Sequence, residues 1–292
     1  MLKGKILKGV GSFYTVYSYN DNKEYTLKAR GVFRKQKITP VVGDEVLFSA
    51  MNTEDGSIEK IEKRRNELIR PSISNVDNIV IVCALKQPDI SFFLLDKMLI
   101  NAYNENVEIY ICFNKCDLCT KEEIEEIKNI YKNSGFNLIF TSNITKEGIE
   151  EIKPILKNKT TVFMGVSGAG KSSMINSLYD NYKLETSHVS RKIKRGRHTT
   201  RHSELFMENE NTFVADTPGF SSLEVFDVKK EDLYHYYNEF IEYIDCKFPN
   251  CVHINEPVCG VKDAVKDGKI NITRYNTYKQ IFEEIKSKEN KY

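Results

Sequence analysis

The segment GVSGAGKSS, which begins at Gly165, constrains the fold of this chain more than any other feature. It matches the pattern G-x-x-x-x-G-K-[ST], with an apolar run, TTVFMGV, before it and a helical pattern, KSSMINSLYD, after it. Between a strand and a helix, such glycines let backbone N–H groups turn inward around phosphate. A plain glycine turn is the alternative, but the flanks favour a phosphate-binding loop. Lys171 would reach the β- and γ-phosphates, and the Ser172 hydroxyl would ligate Mg²⁺.

The segments around this loop predict an α/β domain over residues 69 to 225. DNIVIVCAL is a continuous apolar run, and SFFLLDKMLINAYNEN after it has a helical pattern. Strand-like and helix-like segments then alternate: VEIYICFNK, KEEIEEIKNIYKNSG, NLIFTSN and KEGIEEIKPIL. This alternation indicates a mostly parallel sheet with helices on both faces.

A second phosphate-site motif, DTPG, ends the apolar strand FVADTPG forty-odd residues after the loop. The strand would place the Asp216 carboxylate beside Mg²⁺, and the N–H of Gly219 would face the γ-phosphate. A four-residue D-x-x-G pattern is common, but this spacing and this position at the end of a strand make it informative.

The tetrapeptide NKCD predicts the base that the domain recognises. Asp117 can accept hydrogen bonds from N1 and the exocyclic amine of guanine, Asn114 can contact O6 and N7, and the stem of Lys115 can cover the base. NKCD ends the strand VEIYICF, where open α/β sheets bind ligands. Thr141-Ser142-Asn143, which ends the next strand, would complete the base pocket. Both base motifs precede the phosphate loop, so the sequence predicts a circularly permuted GTPase domain.

The segment GRHTT, between the phosphate loop and DTPG, predicts a switch. One of its threonines could ligate Mg²⁺ when GTP is bound. Thr199 and Thr200 both remain open, and we favour Thr200. The usual water-orienting glutamine after DTPG is missing, because Phe220 and Ser221 stand there. His198 could orient or deprotonate water instead, or it could contact RNA phosphate, and slow intrinsic turnover is expected.

Residues 1 to 68 predict a β-barrel of about five short strands, for which the oligonucleotide-binding fold is the natural candidate. The chain has 43 basic and 41 acidic residues, yet residues 1–40 and 188–202 are strongly basic. These local excesses suggest a polyanionic partner, although solvated faces would also explain them. The aromatic residues Phe13, Tyr14, Tyr17 and Phe33 could stack on bases, but for most of them a place inside the barrel is the simpler interpretation.

Residues 226 to 292 predict a helical region interrupted by the set C-x4-C-x-H-x5-C. Its members, Cys246, Cys251, His253 and Cys259, have the composition of a structural zinc site with no open position. Chance clustering in a reduced cytoplasm is the alternative. The other cysteine group, Cys112-x3-Cys116-x2-Cys119, is rejected as a metal site, because Cys112 belongs to a strand and Cys116 is the variable position of NKCD.

The combined motifs resemble one family over nearly the whole chain, the bacterial ribosome-small-subunit-dependent GTPases of the RsgA/YjeQ family. The motifs that carry the resemblance are Val42-Gly43-Asp44-x-Val46, Arg70-Pro71, NKCD, GVSGAGKSS, GRHTT, DTPGF and the cysteine set. The resemblance implies slow GTP hydrolysis, stimulated by the 30S subunit during its late maturation. It further implies an oligonucleotide-binding barrel, contact with 16S rRNA, and one structural Zn²⁺.

Three kinds of function are compatible with parts of this pattern. Besides the GTPase just described, the main alternative is an RNA-binding protein, GTP-regulated, with another RNA client and little turnover. Its nucleotide-independent form, an RNA-binding or structural protein with a vestigial GTP site, is opposed by the intact Lys171, Ser172, Asp216 and NKCD. The third kind, an ATP-dependent kinase or ATPase, is opposed by NKCD. The N-terminal segment lacks the features of a signal peptide, and no apolar run reaches the length of a membrane span, so we expect a cytoplasmic protein without membrane contact. We also expect a monomer. Because DTPGFSSL leads directly into the cysteine-rich region, nucleotide state could set the orientation of that region.

The site prediction is specific at the level of residues. Catalytic roles fall to Lys171, His198 and Thr200, and Mg²⁺ ligation to Ser172, Thr200 and Asp216. The residues predicted to bind GTP are Asn114, Lys115, Asp117, Thr141, Ser142, Gly165, Val166, Ser167, Gly168, Ala169, Gly170, Lys171, Ser172, Ser173, Asp216 and Gly219.

Overall fold

The computed structural model describes residues 1–69, 71–179, 204–209, 211–217, 224–225 and 228–289. The N-terminal part is a closed five-stranded barrel with strand order β1-β2-β3-β5-β4, as the sequence predicts. Its strands are β1 (Leu2–Val10), β2 (Phe13–Ser18), β3 (Glu24–Ala29), β4 (Glu45–Ala50) and β5 (Gly56–Ile61). The segment after β3 forms the short helix α1 (Gly31–Lys35).

Alternating apolar residues fill the barrel, with Ile6, Val16, Leu27, Phe48 and Ile58 all fully buried. The four aromatic residues singled out in the sequence divide between inside and outside. Phe33 belongs to the barrel core, Tyr14 packs against that core, and Tyr17 is buried in a cluster shared with the next domain. Phe13 alone of the four is 46% exposed, with the Lys28 ammonium 5.2 Å from its ring centroid.

A two-stranded ribbon, β6 (Glu67–Leu68) and β7 (Ile73–Ser74), connects the barrel to the central domain. Val42-Gly43-Asp44 packs against this ribbon. The Asp44 carboxylate is fully buried and accepts hydrogen bonds from Arg64 Nε at 2.7 Å and Ser74 Oγ at 2.7 Å. Gly43 has φ +90°, and a Cβ there would lie 2.1 Å from the Ser74 carbonyl oxygen, so glycine is required.

The central domain is built on a sheet that, in the described residues, has six strands in the order β10-β9-β8-β11-β13-β12. Neighbours are parallel except for β12, which runs antiparallel to β13 at one edge. The strands are β8 (Asn78–Ala84), β9 (Glu108–Asn114), β10 (Asn137–Phe140), β11 (Thr160–Gly165), β12 (Phe206–Asn209) and β13 (Thr212–Asp216). All seven residues of β8 are buried, which explains its continuous apolar sequence.

Helices α2 (Phe92–Tyr103), α3 (Lys121–Tyr131), α4 (Lys153–Leu156) and α5 (Lys171–Leu178) connect the strands. Ser91 caps α2, and Thr120 with Glu123 forms a capping box that begins α3. The helix predicted around KEGIEEIKPIL is shorter than expected, because a 3₁₀ turn (Ile149–Glu151) precedes α4. Among the described residues, no helix is long and apolar enough to cross a bilayer.

The C-terminal region is helical, as predicted, with a 3₁₀ helix (Lys230–Tyr236) followed by α6 (Asn238–Ile241), α7 (Gly260–Lys266) and α8 (Ile272–Glu289). Its apolar core includes Leu233, Phe240, Val261, Tyr278 and Ile281. The long helix α8 packs against α2 of the central domain. The C-terminal region is therefore joined to the central domain by side-chain packing as well as by the chain.

Candidate functional site

The motifs that are separated in the sequence meet at the carboxyl ends of the parallel strands of the central sheet. NKCD follows β9, Thr141 and Ser142 follow β10, the glycine-rich loop follows β11, and Asp216 ends β13. These four strands are parallel, with β8 between β9 and β11, so their carboxyl ends lie at the same end of the sheet. The site therefore assembles although its base motifs come first in the chain.

The glycine-rich loop has the backbone shape expected of a phosphate cradle. Gly165, Gly168 and Gly170 all have positive φ, at +146°, +79° and +95°. A Cβ on Gly165 would lie 2.1 Å from the Val82 carbonyl oxygen on the neighbouring strand. The loop therefore needs glycine both for its conformation and for its close contact with β8.

Lys171 begins α5 and folds its side chain back over the loop. Its ammonium donates to the carbonyl oxygens of Gly165 and Val166, each at 3.1 Å, and only 6% of the residue is exposed. Burial lowers the pKa of Lys171, while nearby Asp216 favours its charged form. A buried ammonium over a ring of backbone groups is suited to an anionic ligand.

Ser172 and Asp216 meet directly beside the loop. Ser172 Oγ donates to Asp216 Oδ2 at 2.5 Å. The second oxygen, Asp216 Oδ1, is buried and has no hydrogen-bond partner among the described residues. Burial raises the pKa of Asp216 above its ordinary value. An unpartnered carboxylate oxygen beside a hydroxyl is a donor set that fits Mg²⁺.

The NKCD segment turns sharply at the end of β9. Asn114 is fully buried; its Nδ2 donates to the Ala169 carbonyl oxygen at 2.8 Å, and its Oδ1 accepts from Thr141 Oγ1 at 3.2 Å. Lys115 has φ +64°, and its ammonium donates to the Gln87 carbonyl oxygen. A contact between Asn114 and a base would therefore use the second N–H of that amide.

Asp117 is the exposed acid of this segment, in a 3₁₀ turn (Cys116–Leu118). Ser142 Oγ donates to Asp117 Oδ1 at 2.5 Å, and this bond fixes the carboxylate relative to the loop after β10. Ser142 itself is buried. A carboxylate that is held in place and open to solvent can accept a pair of parallel N–H donors.

The structure brings together most of the residues predicted to form the nucleotide site, from Asn114 to Ser173 and Asp216. One contact was not predicted: Asn143 Nδ2 donates to the Gly170 carbonyl oxygen at 3.1 Å. The sequence placed Asn143 in the base pocket but carried no signal for this contact with the phosphate loop. Three other predicted residues, His198, Thr200 and Gly219, and with them Thr199, lie outside the described residues.

The second candidate site is in the C-terminal region, where Cys246, Cys251, His253 and Cys259 place their ligand atoms within 4.8 Å of one another. His253 Nδ1 lies 3.5 Å from the sulfur of Cys246 and 3.4 Å from those of Cys251 and Cys259. The sulfurs of Cys246 and Cys259 are 3.8 Å apart. Around tetrahedral Zn²⁺, two sulfurs are separated by about 3.8 Å, and sulfur and nitrogen by about 3.5 Å. The four groups therefore have the spacing of a zinc site.

Burial shifts the pKa values of two of these ligands. Burial raises the pKa of Cys251 to about 12 and lowers that of His253, so without a cation the site disfavours thiolate and imidazolium alike. Neutral imidazole is the form that binds a metal. Two tyrosines hold the ligand loop: Tyr275 Oη donates to the His253 carbonyl oxygen and Tyr278 Oη to that of Val252, each at 2.7 Å.

The other cysteines have a different environment. Cys112 is buried in the sheet, with its sulfur 3.4 Å from Thr141 Oγ1 and 3.9 Å from the sulfur of Met174. The Cys116 thiol donates to the Phe113 carbonyl oxygen at 3.3 Å. Burial raises the pKa of both thiols. These thiols therefore pack and hydrogen-bond within the central domain.

Comparisons with known proteins agree along the whole chain. The family model RsgA GTPase matches residues 61–226, and the model RsgA N-terminal domain matches residues 3–58. A protein of Agathobacter rectalis named small ribosomal subunit biogenesis GTPase RsgA is 47% identical over 301 residues, covering 99% of each chain. A protein of the same name from Alkaliphilus metalliredigens is 44% identical, with 98% of each chain covered.

Solved structures give the same result. The crystal structure of YjeQ from Thermotoga maritima matches with a TM-score of 0.82 and 34% identity, covering 97% of this chain and 98% of that one. The structure of YloQ, described as a circularly permuted GTPase, matches with a TM-score of 0.79 and 37% identity, covering 99% and 96%. With its barrel, permuted GTPase sheet and Cys₃His cluster, this chain belongs to the RsgA GTPase family.

Proposed function

We propose that this protein hydrolyses GTP and acts in the biogenesis of the small ribosomal subunit. The observation that carries the proposal is the meeting of NKCD, the phosphate loop and Asp216 at one sheet edge, in a chain that belongs to the RsgA GTPase family. The relatives named above are small ribosomal subunit biogenesis GTPases, and their alignments cover nearly all of this chain.

In the proposed site, Asp117 selects guanine and the loop from Gly165 to Gly170 binds the phosphates. Lys171 exchanges its two carbonyl partners for phosphate oxygens, so its charge is neutralised by the nucleotide. Ser172 and Asp216 hold Mg²⁺, which supplies charge stabilisation at the phosphates when bound. The unpartnered Asp216 oxygen supports this assignment.

For hydrolysis we propose slow intrinsic turnover that the 30S subunit accelerates late in its maturation. Phe220 and Ser221 replace the usual water-orienting glutamine, and His198 is the proposed substitute, with Thr200 completing the Mg²⁺ shell. Contact with 16S rRNA would involve the barrel, whose exposed Phe13 lies beside Lys28.

The Cys₃His cluster is proposed to bind one structural Zn²⁺. Its donor spacing and its closed set of four ligands support this metal. Elemental analysis of the purified protein should find about one zinc per chain. Cys251→Ala should lose the metal, whereas Cys119→Ala, outside the cluster, should keep it.

The decisive experiment compares GTP turnover alone, with purified 30S subunits, and with 50S subunits as the control. Stimulation by 30S alone supports the proposal, while no stimulation would leave a GTPase with another RNA client. Asp117→Asn tests base recognition separately, because an amide at this position should shift preference from guanine to xanthine nucleotides. Equal turnover of ATP and GTP by the wild-type protein would contradict the role of Asp117.

A further inference from the structure

Two asparagines from neighbouring strands hold the end of the phosphate loop. Asn114, at the end of β9, donates from Nδ2 to the Ala169 carbonyl oxygen at 2.8 Å. Asn143, after β10, donates from Nδ2 to the next carbonyl oxygen, that of Gly170, at 3.1 Å. The loop that carries Ser142, the partner of Asp117, is thereby joined directly to the turn that begins α5.

The fit around Gly170 is close. A Cβ on this residue would lie 2.3 Å from Asn114 Nδ2 and 3.0 Å from Asn143 Nδ2. A carbonyl oxygen accepts only from a donor, so the amide nitrogen of Asn143 must face Gly170 and its oxygen must face elsewhere. That oxygen, Asn143 Oδ1, is buried and has no hydrogen-bond partner within the described part of the chain. A buried acceptor of this kind is one that a bound ligand or its water can satisfy.

We propose that Asn143 is a positioning residue that couples the guanine-recognition loop to the phosphate loop. The inference rests on the proposed GTP site. When the Ala169 and Gly170 carbonyls are held towards the base loops, the backbone N–H groups of the same turn are directed towards the phosphates. Loss of the Asn143 bond leaves the Gly170 carbonyl held by the Met174 N–H alone, at 2.9 Å, and disconnects the guanine-recognition loop from it. The nucleotide then dissociates faster, while the groups that act on the γ-phosphate stay in place.

The test measures release of a fluorescent GDP analogue by stopped flow from wild-type protein, Asn143→Ala and Asn143→Asp. The aspartate has the same shape but places an acceptor against the Gly170 carbonyl. One lost hydrogen bond corresponds to about fivefold to tenfold faster release in both variants. Ile144→Ala is the matched control, because Ile144 is in the same loop and 80% exposed; its release rate should equal that of wild type.

Single-turnover hydrolysis of bound GTP separates positioning from a general loss of structure. It should stay within twofold of wild type in both variants, so that affinity falls without a matching fall in the chemical step. Wild-type binding with unchanged release in both variants would overturn this inference alone. Wild-type protein that does not bind the GDP analogue would overturn the proposed function, and the inference with it.

Discussion

The barrel and the C-terminal region are both attached to the central domain through a buried cation, but the two attachments differ in their partners. On the barrel side the cation is Lys5, of which 4% is exposed, and on the C-terminal side it is Arg274, of which 2% is exposed. Removing a charged group from water is costly unless the protein supplies charged or polar partners. The partners of each cation therefore indicate how much stability is lost when that cation is replaced.

Lys5 has few partners, and one of them, Glu45, is partly exposed to solvent. Its ammonium lies 3.0 Å from Glu45 Oε1 and 3.3 Å from Thr160 Oγ1, and 5.1 Å from the ring centroid of Phe213. The side chain of Glu45 is 26% exposed and also accepts from Tyr19 Oη at 2.9 Å. Glu45 Oε2 is buried without a hydrogen-bond partner in the described residues, but the rest of the side chain is partly exposed. Since the acid also keeps the Tyr19 hydrogen bond, this attachment does not depend on the lysine alone.

Arg274 is held by two acids that solvent hardly reaches. Its guanidinium donates to Glu239 Oε1 at 2.6 Å and to Asp96 of α2, whose side chains are 4% and 1% exposed. The guanidinium carbon also lies 4.9 Å from the ring centroid of Tyr131 and 4.5 Å from that of Tyr237. Because this ion pair is buried on all sides, α8 and α2 should move as one unit. A nucleotide-dependent reorientation of the C-terminal region stays a prediction, and it would have to move α2 as well.

The largest expected effect comes from removing the proposed zinc, which should destabilise the C-terminal region and leave the barrel unchanged. Chelation, or Cys259→Ser, leaves buried thiols and an imidazole without the cation that holds them together. We expect the local stability of the C-terminal region to fall by more than about 5 kcal/mol, because structural zinc supplies much of the folding energy of small metal-bound units. Hydrogen exchange should show lost protection around Cys251 and Tyr278 and unchanged protection in β1 to β5.

Cys119→Ser is the matched control for this measurement, because Cys119 lies outside the cluster. Identical exchange with and without a strong chelator would contradict the proposed zinc. Equal loss of protection in the barrel would instead show that the two flanking regions unfold together and are not independently attached.

The next largest effect is expected from Arg274→Met. The methionine fills part of the space but leaves Asp96 and Glu239 buried without their cation, at a cost of about 3–5 kcal/mol. The free energy of unfolding in urea measures it. Lys286→Met on the same helix is the control, because that side chain is 45% exposed and its loss should cost less than about 0.5 kcal/mol.

A triple variant, Arg274→Met with Asp96→Asn and Glu239→Gln, tests the reason for the loss. If uncompensated charge is the cause, removing both acids should recover part of the stability. A triple variant that is less stable than Arg274→Met would indicate instead that the acids stabilise the fold through their other hydrogen bonds, such as those that Asp96 accepts from Tyr131 and Thr277.

The two attachments also mark the limit of what the sequence predicts. The phosphate loop, the permuted order, the barrel and the Cys₃His set are local patterns, and their residue types carry their own chemistry. The Arg274–Asp96 pair joins residues 178 positions apart, and its only signal was an acid inside the apolar helix FFLLDKMLI. Similarly, period-two alternation placed Tyr17 in a strand but could not show that it would contact Phe213 of another domain.

Some local structure could also not be predicted from the sequence pattern. The segment GVF after β3 has apolar residues that suit a strand, yet it forms the start of α1, where Phe33 enters the barrel core. The apolar spacing of KEGIEEIKPIL predicts one helix, but Pro154 lies near the start of α4, and a separate 3₁₀ turn precedes that helix. In both places tertiary packing and backbone chemistry override a weak local propensity. The boundaries at residues 68 and 225 stay predictions.

A smaller effect is expected from Lys5→Met, which removes the buried cation on the barrel side. The methionine keeps an apolar stem against Phe213, and Glu45 retains the Tyr19 hydroxyl and contact with water. We expect a cost of about 1–2 kcal/mol in the free energy of unfolding. Glu45→Gln in the same protein should recover part of it. If Lys5→Met costs as much as Arg274→Met, the barrel is attached to the central domain as strongly as the C-terminal region is.

The smallest effect is expected at a second contact of the barrel, between Lys8 and Glu204. The Lys8 ammonium lies 2.8 Å from Glu204 Oε2, and the two side chains are 41% and 38% exposed. The neighbouring backbone contact is stronger, because Leu205 N–H donates to the Leu7 carbonyl oxygen at 2.8 Å and Leu205 is buried. Breaking the ion pair should therefore cost only about 0.2–1 kcal/mol.

A double-mutant cycle with Lys8→Glu, Glu204→Lys and the charge-reversed pair measures this contact. The coupling energy from urea unfolding should be positive at low salt and should fade as ionic strength rises, because exposed charges are screened. Coupling that persists at 1 M salt would mean that the pair is effectively desolvated. The barrel would then be fixed on both sides of β1, by Lys5 and by Lys8, as firmly as α8 is fixed by Arg274.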